Sequence, residues 1–189
     1  GVQLRFEPPP NAPMVRAGHA RLEQVLVNLL HNAIEAVPPG RGEVALAQSV
    51  FGTAIDYRKV TIRRRKWAFF QPKNTTMAPR GHLHFHPDAA GYCDDFSAGN
   101  HHSQGHFIHE MTHVWQTQTR GEWYLPLHRH PWCRYDYSIK PGWGLEKYGI
   151  EQQAEIVKHA FWLRNGVRVA GIASRETYDL LGRFPGAKP

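Results

Sequence analysis

The feature that most constrains this chain is the run His109-Glu110-Met111-Thr112-His113. In an α-helix, residues four apart stand on one face a single turn apart, so two imidazoles can point at one ion. The glutamate beside them can reach a water at that ion and take its proton. The flanks predict a helix over about Ser103 to Gln118. Ile108, Met111 and Trp115 make an apolar stripe, widened by Phe107 and Val114, while His109, His113 and Gln116 make a polar stripe aimed at a site. Thirteen histidines among 189 residues raise the chance of an accidental match, so the reading depends on a third ligand. Catalytic zinc takes three protein ligands and leaves one position for water.

Three sources compete for that ligand. His106 shares the helix face, but it lies seven residues from His113, which is ~10 Å along a helix axis. One straight helix can hardly bring three ligands to a single ion. The longer pattern His-Glu-x-x-His-x-x-Gly-x-x-His fails, because Gln116 takes the glycine position and Thr119 the last histidine. A second helix, expected over about Tyr148 to Arg164, offers Glu151 and Glu155 beside a core stripe of Ile150, Ala154, Val157 and Phe161. Two carboxylates at a buried boundary need a positive partner, and zinc plus a histidine N–H supplies one. Glu151 is therefore the expected ligand, and Glu155 is expected to orient His109 or His113. His128 and His130 are the fallback ligands.

The rest of the chain reads as strands first and helices later, an α+β order. Val44 to Phe51 suggests a short helix ending at Gly52, with strands at Val60-Thr61-Ile62, Trp67-Ala68-Phe69-Phe70 and His82-Leu83-His84-Phe85-His86. In the last of these the histidines are expected on an exposed face, opposite Leu83 and Phe85. An amphipathic helix is expected from about Ala20 to Ala36. Pro38-Pro39-Gly40 ends it and marks a boundary between residues 1–41 and 42–189.

Two resemblances follow from these segments. Arg21 to Ala36, Arg-Leu-Glu-Gln-Val-Leu-Val-Asn-Leu-Leu-His-Asn-Ala-Ile-Glu-Ala, resembles the N box of the histidine-kinase ATP-binding domain, whose matching asparagine, here Asn32, binds the magnesium of ATP. The glycine-rich boxes that cradle phosphates are missing, so residues 1–37 read as a fragment. Ser49-Val50-Phe51-Gly52, Trp67 to Phe70, Phe107 to Gln116 and Tyr148 to Glu155 together resemble the zincin-like metallopeptidase domain of Vgr/Rhs-related secretion and polymorphic-toxin proteins, over roughly residues 43 to 165. That resemblance implies a zincin-like fold of the glutamate-liganded (gluzincin) type. Zinc would sit on His109, His113 and Glu151, and Glu110 would act as general base in peptide hydrolysis. Its partners would be a peptide or protein substrate and a secretion apparatus or immunity protein. A non-catalytic zinc module of the apparatus is the alternative, and a nucleotide-binding kinase fragment a weaker one.

Bulk properties narrow the field further. A hydrophobic content of 41% with 21% charged residues is ordinary for a globular chain. No run reaches the ~20 apolar residues of a membrane span, and no membrane partner is expected. The start shows no secretory signal pattern, which does not exclude export by another route; the expected locations are the cytoplasm of a producing bacterium or secretion without a signal peptide. The net charge of +7 and the cluster Arg63-Arg64-Arg65-Lys66 read as decoration of a strand, not as a nucleic-acid site. Cys93 and Cys133 are expected to be free thiols. Tyr135, Tyr137 and Tyr148 are candidate oxyanion stabilisers, and Trp123, Trp132 and Trp143 are expected to brace the loop between the metal helices.

Overall fold

The computed structural model describes residues 36–130, 132–171, 174–182, 184 and 186–187. The chain divides into residues 1–34 and 35–189, and everything below concerns the second unit. The kinase-like segment, with its expected strand and all but the last residue of its expected helix, lies outside the described residues. That last residue, Ala36, stands in a strand instead.

Helix α1 spans Arg41–Phe51, starting three residues earlier than its apolar pattern implies. Glu43 explains the extra turn. Its carboxylate accepts the Gly40 N–H at 2.9 Å and, from across the fold, the Phe96 N–H at 3.2 Å. Ala47, Val50 and Phe51 face the core. Gly52, at φ 52°, ends the helix where a side chain would be strained.

The sheet is small. Strand β2 (Ile62–Arg63) is central; β1 (Ala36–Val37) pairs with it antiparallel and β3 (Leu83–His84) parallel, in the register Ile62 to Leu83. Met77 adds an antiparallel bridge to His84. Two expectations are corrected here. Trp67 to Phe70 is not a strand but a tight loop. Gln71 is the cause, since its side chain takes the Trp67 N–H at 2.7 Å and donates to the carbonyls of Thr75 and His84 at 2.8 and 2.9 Å. Backbone groups that a ladder would use are thereby captured. His84, in turn, is buried like Leu83 and Phe85, at 6% exposure. Burial, with Arg63 beside it, lowers its pKa to about 4.

Helices carry most of the fold. Helix α2 spans His101–Arg120, longer than expected at both ends, with the Asn100 side chain capping the Ser103 N–H and Gly121 at φ 98° after its end. Helix α3 (Tyr124–His128) is one short turn, α4 spans Ile150–Arg164, and α5 spans Arg175–Leu181. The core runs through stacked Phe85, Phe96 and Phe107 into Ile108, Met111 and Ile156, joining α2 to α4. Close approach of these two helices requires Gly105. A Cβ there would lie 2.2 Å from the Trp162 indole nitrogen, which donates to the His101 carbonyl at 2.7 Å. Cys93 and Cys133 are free. Among the described residues no helix is long and apolar enough to cross a membrane.

Candidate metal centre

His109, His113 and Glu151 converge where α2 crosses the first turn of α4. All three are buried, and a ligand atom from each lies within 4.8 Å of the others. The Nε2 atoms of His109 and His113 each stand 3.3 Å from the same Glu151 oxygen, Oε2. The hydrogen-bonding partners on the far sides of the two rings decide what that means.

His113 Nδ1 lies 2.8 Å from Gln116 Oε1. The orientation of that amide is fixed, because its nitrogen donates to the Ile150 carbonyl and to Gln153 Oε1, both at 3.0 Å. Gln153 Oε1 can only accept, since its own amide nitrogen donates to the Tyr148 carbonyl at 2.7 Å. Gln116 therefore presents an acceptor, and His113 must carry its proton on Nδ1. Nε2 is left as a lone pair in a buried place without a hydrogen-bond partner. His109 repeats the pattern, with Nδ1 at 2.9 Å from Glu155 Oε1. Two nitrogen lone pairs and a carboxylate thus meet at one point out of water. Acceptors facing each other in a low-dielectric interior repel unless a cation stands among them.

These residues fit a metal, and the group could hold one. Without it, protons take its place. Burial alone would lower the pKa of His109, but hydrogen bonds to Glu151 and Glu155 outweigh it and raise the value to about 9. Burial would raise Glu151, yet both histidines and Arg129 hold its pKa far below the ordinary carboxylate range. Glu155, similarly resisted by burial, is drawn down to about 2 by His109 and Lys158, whose ammonium lies 2.6 Å away.

Glu110 lies one residue past His109, 3% exposed, and its Oε2 has no hydrogen-bond partner. It lines an open cavity of 340 Å³ together with His109, Arg129, Tyr135 and His106. His106 is not drawn into the ligand group; its Nε2 pairs with the Thr76 hydroxyl at 2.9 Å. The fallback ligands are placed elsewhere as well. His128 is exposed and bonds the Tyr124 carbonyl at 2.9 Å, and His130 is exposed and lines the neighbouring cavity without joining the ligand group.

Arg129 is the residue that the sequence did not reveal. Its Nε forms an ion pair with Glu151 Oε1, without the alignment of a hydrogen bond. Burial would lower its pKa, but the charges of Glu151 and Glu110 and the hydrogen bond it donates to the Tyr135 oxygen hold it above normal. Tyr135 lies parallel to the His109 ring at 6.3 Å and 12°. Burial, then the charge of Glu151, raises its phenol pKa. Of the three candidate tyrosines it alone reaches the centre. Tyr137 bonds His159 and Tyr178, and Tyr148 receives the Lys140 N–H. Of the three tryptophans expected to brace the loop, Trp143 packs on the core, whereas Trp123 and Trp132 are exposed.

Such a buried histidine–carboxylate centre on two crossed helices defines a class of candidate metalloproteins. No family model matches the chain. It is 40% identical over 151 residues to the type VI secretion system spike protein VgrG2b of Pseudomonas aeruginosa, a match covering 76% of this chain and 14% of that protein. Among solved structures, the effector domain of Pseudomonas aeruginosa VgrG2b matches with TM-score 0.59 and 33% identity, over 76% of this chain and 79% of that one. The chain belongs to the family of the VgrG2b effector domain.

Proposed function

We propose that the chain is a zinc-dependent peptidase of the zincin type that serves as an effector carried by a secretion apparatus. One observation carries the chemistry: the lone pairs of His109 and His113 and the Glu151 carboxylate are aimed at one buried point beside an unpartnered Glu110 oxygen. Kinship with an effector domain supports the biological setting.

Bound by His109, His113 and Glu151, zinc would polarise a scissile carbonyl and make water acidic enough to attack near neutral pH. Glu110 would serve as the general base, accepting a proton from the attacking water and returning it to the leaving nitrogen. Arg129 and Tyr135 face the same cavity and donate hydrogen bonds to the carbonyl oxygen as its charge grows. Glu155 and Gln116 hold the two imidazoles in the tautomer that frees Nε2. A neighbouring cavity of 580 Å³, walled by Trp67, Phe70, Met77 and Leu125, reaches Glu151 and gives room for a bulky apolar side chain of the substrate.

Two variants test the reading together. Glu110→Gln should keep zinc and the fold while losing ~100- to 10,000-fold in hydrolysis of an unstructured protein such as casein. Glu151→Gln should lose zinc by mass spectrometry, because an amide is a poor ligand. Equal zinc content in both variants would remove Glu151 from the ligand set.

A further inference from the structure

Residues 57–87 hold eight Lys and Arg and no Asp or Glu. The same stretch contains Trp67, Phe69 and Phe70, at 42%, 91% and 60% exposure. Of the eight large apolar side chains that stand exposed among the described residues, seven belong to two segments, 67–70 and 123–135. Both segments border the 580 Å³ cavity beside Glu151 as its two lips, with Trp67 and Phe70 lining it from the first and Tyr135 from the second. Water normally drives such rings inward at about 25 cal/mol per Å², so exposed rings gathered in the two segments that border one mouth mark a contact surface.

The mixture of side chains identifies the contact. Phe70 meets Phe69 edge-on at 5.2 Å and Trp67 at 6.4 Å, making one aromatic knob. Lys66 and Lys73 are exposed on either side of it. On the opposite lip Arg80 stacks over Trp123 at 4.7 Å, a cation resting on an exposed ring. Lysine is depleted at protein–protein contacts. Aromatic rings among Lys and Arg instead suit a lipid interface, where rings sit at headgroup level and each cation near an anionic surface contributes about 1 kcal/mol. A search for spanning segments misses such a surface, because it needs no long apolar run.

We propose that these two lips form a docking surface for an anionic lipid membrane, with the Trp67–Phe70 knob entering the headgroup layer and Lys66 and Lys73 on the phosphates. Docked this way, the cavity beside Glu151 opens toward the bilayer. Trp67 and Phe70 also wall the proposed substrate cavity, but membrane binding needs neither the metal nor Glu110.

Vesicle flotation of the 189-residue chain tests this. Vesicles of phosphatidylethanolamine and phosphatidylglycerol, 3:1, are compared with pure phosphatidylcholine, with and without zinc, so that failure of the hydrolytic reading leaves the result intact. The expected result is partitioning to the anionic vesicles at least ~10-fold above the neutral ones, weakening with salt. Phe69→Ser with Phe70→Ser should cut it ~10-fold or more, and so should Lys66→Glu with Lys73→Glu, with melting unchanged in both. Equal partitioning on both lipids, no partitioning at low salt, or indifference to the Phe69 and Phe70 changes would each overturn the proposal. Indifference to those changes would mean that the net positive charge alone adsorbs the chain.

Discussion

Replacing Gln116 with leucine should expose how much the centre depends on a residue that touches no metal. The side chain is fully buried and makes three hydrogen bonds, to His113 Nδ1, the Ile150 carbonyl and Gln153 Oε1. The Ile150 carbonyl keeps its place in the first turn of α4, so two groups are orphaned: the His113 N–H and the Gln153 oxygen. Each buried orphan costs ~1–3 kcal/mol. Leucine returns ~1 kcal/mol as apolar burial. The net loss should be about 3 kcal/mol, a large share of the ~5–15 kcal/mol that holds a domain together. Urea unfolding of metal-free protein measures it. Zinc affinity, read by chelator competition, should fall ~10- to 100-fold as His113 loses its fixed tautomer. Gln116→Glu makes the contrast. It still accepts from His113, so affinity should fall less, but it sets a carboxylate against two oxygens, so stability should fall further. If Gln116→Leu costs under ~0.5 kcal/mol and leaves zinc affinity alone, the tautomer argument is wrong.

Three other outcomes are expected. Arg129→Ala should keep zinc, since all three ligands remain, while kcat/KM on a peptide substrate falls ~100-fold or more through loss of a charged donor at the carbonyl oxygen. His84 has a pKa near 4 in the fold against 6.5 when free. The unfolded chain therefore binds the proton first, and stability falls as pH drops from 6.5 toward 4. Urea midpoints at pH 7 and pH 5 should show His84→Gln removing roughly 2 kcal/mol of that fall; an unchanged pH slope would contradict it. Gly105→Ala should displace the Trp162 indole and cost ~1–3 kcal/mol, with red-shifted tryptophan emission as the sign that the ring has moved into water.

Legibility in the sequence followed periodicity. Helical spacing placed His109, His113, Glu151 and Glu155 on facing stripes, because α2 and α4 are long and regular. Gln116 stood visibly in the polar stripe, but nothing local showed that it would join His113 to two groups on another helix. Arg129 and Tyr135 lie in the irregular stretch between the helices, where no period ties a residue number to a direction. Trp67 to Phe70 looked like a strand because β propensity is read from the residues themselves. Gln71, just beyond them, overrides it by bonding the backbone from outside the segment. His84 misled for a related reason: alternation assigns faces, yet in a sheet this short neighbouring segments cover both sides.

The division of the proposed ligands between α2 and α4 would also set a rate. Two imidazoles one turn apart on a single helix can trade a metal with solvent as quickly as any short chelating peptide. Here the third donor arrives on a helix whose register against α2 is locked by the Gly105–Trp162 contact. An ion seated between them would leave when the helices part or a chelator enters by the cavity mouth. Residence time should then track the breathing of that interface, and loosening it far from the ligands would speed exchange with little change in equilibrium affinity.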